Sequence, residues 1–144
     1  MAAGHILIVE DDRNIAELVS YNLEKTGYKC TVTSTGEEAF AVLCKEQMNL
    51  MLLDIMLPGM DGFEVCKRLK KDSRFSNMPV IMLTAKGEET DRVVGFELGA
   101  ADYVVKPFSM RELMLRIKSI LQREKAQAES GDILTAGKLV VDPM

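Results

Sequence analysis

"NLMLLDIMLPGMDG", residues 49–62, carries the decision about the fold. A short, unbroken apolar run ends in one acid, Asp54, and the chain then breaks at Leu57-Pro58-Gly59. An apolar run that is continuous rather than alternating is the pattern of a parallel strand covered on both faces. A lone carboxylate buried in such a strand is expensive, or is forced to stay protonated. Asp54 is therefore expected at the open end of its strand, beside a compensating positive charge.

Working outward, four more runs of similar length stand at 5–9 ("HILIV"), 28–33 ("YKCTVT"), 79–84 ("PVIMLT") and 102–106 ("DYVVK"). The run at 28–33 is mixed in character and predicts a strand nearer an edge; the others predict covered strands. Between the runs lie segments of helical period. "RNIAELVSYNLEKTG" (13–27) places Ile15, Leu18, Val19, Asn22 and Leu23 on one face and stops at Gly27. Helices are also expected over 36–46, 61–71 and 88–99, the last ending at Gly99. A final one opens at Ser109 and buries Leu113, Ile117, Ile120 and Leu121. Asp61 with Glu64, and Ser109 with Glu112, have capping-box spacing. Strand and helix thus alternate five times, predicting an α/β domain: a doubly wound, five-stranded parallel sheet.

Composition narrows the function. A formal net charge of −4 offers no basic surface for nucleic acid. Three widely spaced cysteines and one histidine argue against a zinc site and for a reduced, cytoplasmic setting. The opening "MAAGHILIVEDD" has no basic leader, and its apolar part is too short for a membrane span. The ten methionines are spread along the chain and read as core filler.

A sheet of this kind binds its ligand outside the carboxyl ends of its strands, where the strand order reverses. The first strand ends in Glu10-Asp11-Asp12, the third in Asp54, the fourth in Thr84 and the fifth in Lys106-Pro107. Carboxylates brought that close repel one another and raise each other's pKa. A hard divalent cation resolves the repulsion, and an oxygen-only ligand set with few protein carboxylates suits Mg²⁺. An aspartate held there and facing Lys106 is a candidate nucleophile for a phosphoryl group, with Thr84 offering a hydrogen bond to a phosphoryl oxygen. Taken singly these residues are ordinary: Asp11 or Asp12 reads as a helix cap, Thr84 as a turn residue, Lys106 as a solvated charge and Tyr103 as a half-buried strand aromatic. Their convergence on one rim is what makes the site.

Four motifs in order, "ILIVEDD", "LLDIMLPGMDG", "VIMLTA" and "GADYVVKPF", resemble the receiver domain of two-component response regulators over about residues 4–126. The resemblance implies a flavodoxin-like (βα)5 receiver fold and a phosphoacceptor regulatory domain rather than an enzyme. It implies Glu10 and Asp11 as the acidic pair, with Asp11 the direct Mg²⁺ ligand, Asp54 as phosphoacceptor, and the Met56 backbone carbonyl completing the metal shell. Thr84 and Lys106 match the phosphate contacts, Tyr103 matches the aromatic switch that turns inward as Thr84 moves, and Lys106–Pro107 is expected cis.

Within that family the chain is similar to the OmpR/PhoB subgroup. This implies a sensor histidine kinase as phosphodonor and a homodimer formed through the fourth helix, fifth strand and fifth helix. Arg92, Glu97, Asp102, Glu112, Arg116 and Lys118 match the charged positions of that face, whereas Ala101 stands where a second acid is usual. Residues 127–144 are expected to be a linker and the start of a C-terminal winged-helix DNA-binding domain, because "ILTAGKLVVDPM" resembles that domain's opening strand. DNA would be met only through that domain.

Three rivals stand against this reading, beside the alternative of a stand-alone CheY-like switch acting by protein contact. An aspartate-nucleophile phosphatase of the haloacid dehalogenase type needs a second Asp where Met56 stands. A flavodoxin-like cofactor binder needs a Ser, Thr and Gly-rich loop where "VEDDRN" stands. A phosphorylation-blind module should lack Asp54, Thr84 or Lys106, and all three are present.

Overall fold

The computed structural model describes residues 4–85, 93 and 97–137, the stretch 127–137 by its backbone only. Five strands, β1 (His5–Val9), β2 (Lys29–Thr33), β3 (Leu50–Asp54), β4 (Val80–Ala85) and β5 (Asp102–Lys106), pair in parallel in the order β2-β1-β3-β4-β5. Helices α1 (Arg13–Lys25), α2 (Gly36–Leu43), α3 (Gly62–Lys71) and a C-terminal helix, here α4 (Met110–Gly137), are interspersed. The helix expected over 88–99 lies mostly outside the described residues; Val93 and Glu97 are helical.

Strand alternation divides the core into two layers. Ile6, Ile8, Leu50, Leu52, Ile81, Leu83 and Val104 face α1 and α4 through Ala16, Val19, Leu23, Leu113, Ile117 and Ile120. Leu7, Val9, Met51, Leu53, Val80, Met82 and Tyr103 face α2 and α3 through Ala39, Leu43, Val65, Cys66 and Leu69. Every residue of β3 is buried, because the strand is central and covered on both sides.

Helix ends follow local chemistry. Asp12 caps α1, its side chain accepting from the Asn14 and Ile15 backbone N–H groups. The same helix closes with Tyr28 N–H bonding Leu23 O and Gly27 N–H bonding Glu24 O, and Gly27, at φ +106°, occupies the left-handed position this closure needs. The expected capping boxes are half formed. Asp61 and Ser109 accept from Glu64 N–H and Glu112 N–H, but the Glu64 carboxylate pairs with Arg68 and that of Glu112 with Arg116. An arginine four residues along out-competes the backbone N–H for each acid. A reciprocal arrangement not foreseen occurs at α2, where Glu38 accepts from Ser34 N–H and donates its own N–H to Thr35 Oγ1.

Three expectations need correction. Leu18 is 53% exposed, not on the buried face of α1, because the buried stripe is Ala16, Val19 and Leu23. β5 is an edge strand, open on one side, although its composition reads as covered. The methionine filler reading fits Met48, Met51, Met78 and Met82 but not Met56, which is 71% exposed. The last helix, read from sequence over 109–129, runs on to Gly137; "KAQAE" is rich in strong helix formers and no proline interrupts before Pro143.

The loop after β3 is held by a close approach that only glycine permits. Gly62 N–H bonds Ile55 O at 2.9 Å, and a Cβ there would sit 2.5 Å from Asp54 O and 2.7 Å from the Ile55 Cα. Both are backbone atoms that cannot swing aside. Gly62→Ala is expected to destabilise the domain by about 1–3 kcal/mol, the usual range for overpacking, read as a lower urea midpoint at unchanged slope.

Candidate functional site

Register brings the acids together. Val9 pairs with Leu53 and Asp54 with Leu83, so Glu10 and Asp54 emerge side by side at the carboxyl edge, where the strand order reverses between β1 and β3. Ligand oxygens of Glu10, Asp11 and Asp54 lie within 4.8 Å of one another. Glu10 and Asp54 are buried, at 2% and 3% exposure, and Asp11 is open to solvent. Thr84, one residue past Leu83, is buried at the same edge. Lys106, at the end of β5 and followed by a cis peptide to Pro107, reaches across with Nζ 2.8 Å from Glu10 Oε1 and 3.4 Å from Asp54 Oδ2.

Each carboxylate has a fixed orientation. Glu10 Oε2 accepts from Asp12 N–H at 3.1 Å, and Asp54 Oδ1 from Met56 N–H at 3.2 Å. Asp12 thus anchors α1 with its side chain and Glu10 with its backbone. Glu10 Oε1 is buried and meets Lys106 as a charge contact rather than through a well-formed hydrogen bond. Burial raises the Glu10 pKa to about 7; Lys106 opposes the rise, and neighbouring Asp54 adds to it. For Lys106, burial works against the charge, yet Glu10 and Asp54 outweigh it and hold the ammonium above its usual pKa.

Among the described residues, three carboxylates and one ammonium meet here, an excess of negative charge in a partly desolvated corner. A buried carboxylate oxygen without a well-formed hydrogen bond, beside two others, fits a hard divalent cation taking oxygen ligands. Open depressions lie on both sides of Asp11, one lined by Glu10, Arg13 and Ser34 and the other by Met56, Pro58 and Asp61, so solvent and a small donor reach the cluster. No hydrogen bond was expected from Asp12 to Glu10, and the Gly62 approach was equally hidden. Both depend on how a loop folds back onto a strand end.

The remaining singled-out residues sit elsewhere. Tyr103 is buried at 3% exposure among Cys66, Leu69 and Ala100, not half-buried with a wet hydroxyl. Asp102 takes both bonds of a two-pronged contact from Arg116 Nη1, at 2.9 and 2.8 Å, while Arg116 Nη2 meets Glu112 at 3.2 Å. Glu97 and Lys118 are exposed, and Arg92 lies outside the described residues. Cys30, Cys44 and Cys66 are free thiols, and among the described residues no helix is long and apolar enough to cross a membrane.

Fold and site together define a doubly wound α/β domain with an acid cluster and one lysine at its ligand-binding edge. The chain belongs to the response regulator receiver domain family, which matches residues 6–118. It is 43% identical over 144 residues to the phosphate regulon transcriptional regulatory protein PhoB of Pseudomonas aeruginosa, covering 100% of this chain and 62% of that protein. It is 48% identical over 128 residues to the alkaline phosphatase synthesis transcriptional regulatory protein PhoP of Bacillus subtilis, covering 89% and 52%. The chain therefore spans less than two thirds of the length of these relatives. Among solved structures, the chemotaxis response regulator CheY4 of Vibrio cholerae superposes with TM-score 0.76 at 30% identity, over 83% of this chain and 98% of that one. NtrX of Brucella abortus superposes with TM-score 0.89 at 29% identity, over 100% and 32%.

Cation binding is testable directly. A saturating excess of MgCl2, about a hundredfold over Kd, should add about 2.7 kcal/mol to unfolding stability. Asp11→Ala should remove most of that gain. Because protonated Glu10 competes with a cation, the gain should be larger at pH 8 than at pH 6 in thermal melts.

Proposed function

We propose that this chain is the phosphorylation switch of a transcription-regulating response regulator, accepting a phosphoryl group on Asp54 from the phosphohistidine of a sensor kinase. The observation that carries the reading is the Asp54 carboxylate, buried at the carboxyl edge, oriented by Met56 N–H and faced by Lys106 at 3.4 Å. A carboxylate oxygen of Asp54 attacks phosphorus in line; the P–N bond to the donor imidazole breaks, and that nitrogen retains the electron pair and takes up a proton. Asp54 becomes an acyl phosphate.

Asp11, Asp54 and the Met56 carbonyl would hold Mg²⁺, with Glu10 beside them. The cation supplies charge neutralisation for the transferring phosphoryl oxygens. Lys106 then leaves its contacts with Glu10 and Asp54 for a phosphoryl oxygen, and the Thr84 hydroxyl donates to another. Movement of Thr84 couples to Tyr103 through β4 and β5, which are paired from Ile81–Asp102 to Ala85–Lys106. Phosphate thereby adds contacts available in only one of two arrangements, which is a population shift.

A transcriptional output is supported by two relatives named as transcriptional regulatory proteins. Residues 4–126 form the receiver and residues 127–144 lead toward a DNA-binding domain. Self-association through β5, α4 and the 88–99 segment, with Arg92, Glu97, Asp102, Glu112, Arg116 and Lys118 on that face, would set two such domains on a repeated or palindromic DNA site. The setting is the cytoplasm, where the kinase's transmitter and the DNA both are.

Incubation with acetyl phosphate and Mg²⁺ should add one phosphate by intact-mass measurement, and Asp54→Asn should take none; label retained in that variant would end the reading. Sedimentation velocity with a phosphoryl mimic should show tighter self-association than without it. Lys106→Ala should still fold by circular dichroism yet lose the link between phosphate and self-association.

A further inference from the structure

Lys70 stands in the last turn of α3, where a lysine is ordinarily solvated, as its neighbours Lys67 and Lys71 are. Its side chain turns inward instead. Nζ donates to Ser76 O at 3.2 Å and to Met78 O at 3.0 Å, both carbonyls of the connection between α3 and β4. Its methylenes lie over Gly99: a Cβ on that glycine would be 3.3 to 3.4 Å from Lys70 Cγ, Cδ and Cε. One turn earlier, the Cys66 thiol meets Leu98 O at 3.8 Å.

The segment under Lys70 leads directly into β5. Gly99 takes φ +99°, Ala100 is buried, and Ala101 N–H bonds Val80 O at 2.8 Å. Val80 is two residues past Met78, whose carbonyl Lys70 holds. One side chain therefore ties the approach to β4, through its ammonium, to the approach to β5, through the stem that this ammonium anchors, at the sheet edge opposite the acid cluster. Tyr103 packs in the same apolar group as Cys66, Leu69, Leu98 and Ala100.

We propose that Lys70 is a positioning residue of the switch: it pins the 98–101 segment against the α3–β4 connection and so sets where β5, carrying Tyr103 and Lys106, enters the sheet. With that end fixed, a pull on the far end of β5 by phosphate is transmitted along the strand instead of being absorbed as slack. This deepens the reading of Asp54 as phosphoacceptor and rests on it.

The test uses the full chain. Lys70→Met keeps the stem over Gly99 and removes the ammonium; Lys70→Arg restores the charge. In Lys70→Met, losing two charge-assisted hydrogen bonds should speed hydrogen exchange at the amides of residues 98–101 by about 10- to 100-fold. Amides of Ile6–Val9 should be unaffected, and phosphate uptake by Asp54 should stay within about twofold of wild type. Phosphate-linked self-association should weaken by about tenfold, and Lys70→Arg should recover part of it. Exchange rising equally in β1 would reduce Lys70 to general stability and overturn the proposal, as would wild-type coupling of phosphate to self-association in Lys70→Met. If the wild-type protein itself takes no phosphate, the functional reading fails separately, and the exchange contrast between 98–101 and β1 still decides whether Lys70 pins the segment.

Discussion

Like charge gathered at one edge of a parallel sheet is the constraint around which this domain is built. Glu10 and Asp54 are buried within reach of each other and of Asp11, with the ammonium of Lys106 as their shared counter-charge. Such a cluster opposes folding, since desolvation and mutual repulsion both disfavour the charged forms. Two apolar layers of branched and unbranched aliphatic side chains offset it. An excess of negative charge beside Lys106 is what a hard divalent cation neutralises.

Holding that arrangement requires stiffness at the strand ends, and the chain supplies it by backbone means. Met56 N–H and Asp12 N–H each fix one carboxylate oxygen, Asp12 caps α1 at the same time, and Gly62 lets the start of α3 rest on the Asp54 carbonyl. Lys106 and Thr84 are carried by β5 and β4, which pair with each other along their length. The outer face of β5 and α4 is arranged differently. Asp102, Arg116 and Glu112 pair with one another within the chain, and exposed pairs of this kind contribute little each.

The strands were legible from short runs, all but β2 continuously apolar: β1 and β5 coincide with the expected limits, β2 and β3 start one residue later than the expected 28–33 and 49–54, and β4 is shifted by one residue. The acids and the lysine were legible because each follows such a run. Hidden from that reading were Leu18, whose helical phase permits burial but whose neighbours Ala16 and Val19 take the contact, and β5, whose composition does not reveal that it stands last in the sheet order among the described residues. Cap chemistry was legible only by halves, since Arg68 and Arg116 compete for the acids expected to close the boxes.

The sequence by itself determined which segments become strands and helices, and which residue types stand at the strand ends, because periodicity and chain punctuation act over a few residues. Only the tertiary structure decided that β1 lies between β2 and β3, that Lys106 reaches Glu10 more closely than Asp54, and that Lys70 turns inward to hold two carbonyls under Gly99. Those outcomes depend on contacts between residues far apart in the chain. No local preference encodes them, and they are settled by how two apolar layers pack on one twisted sheet.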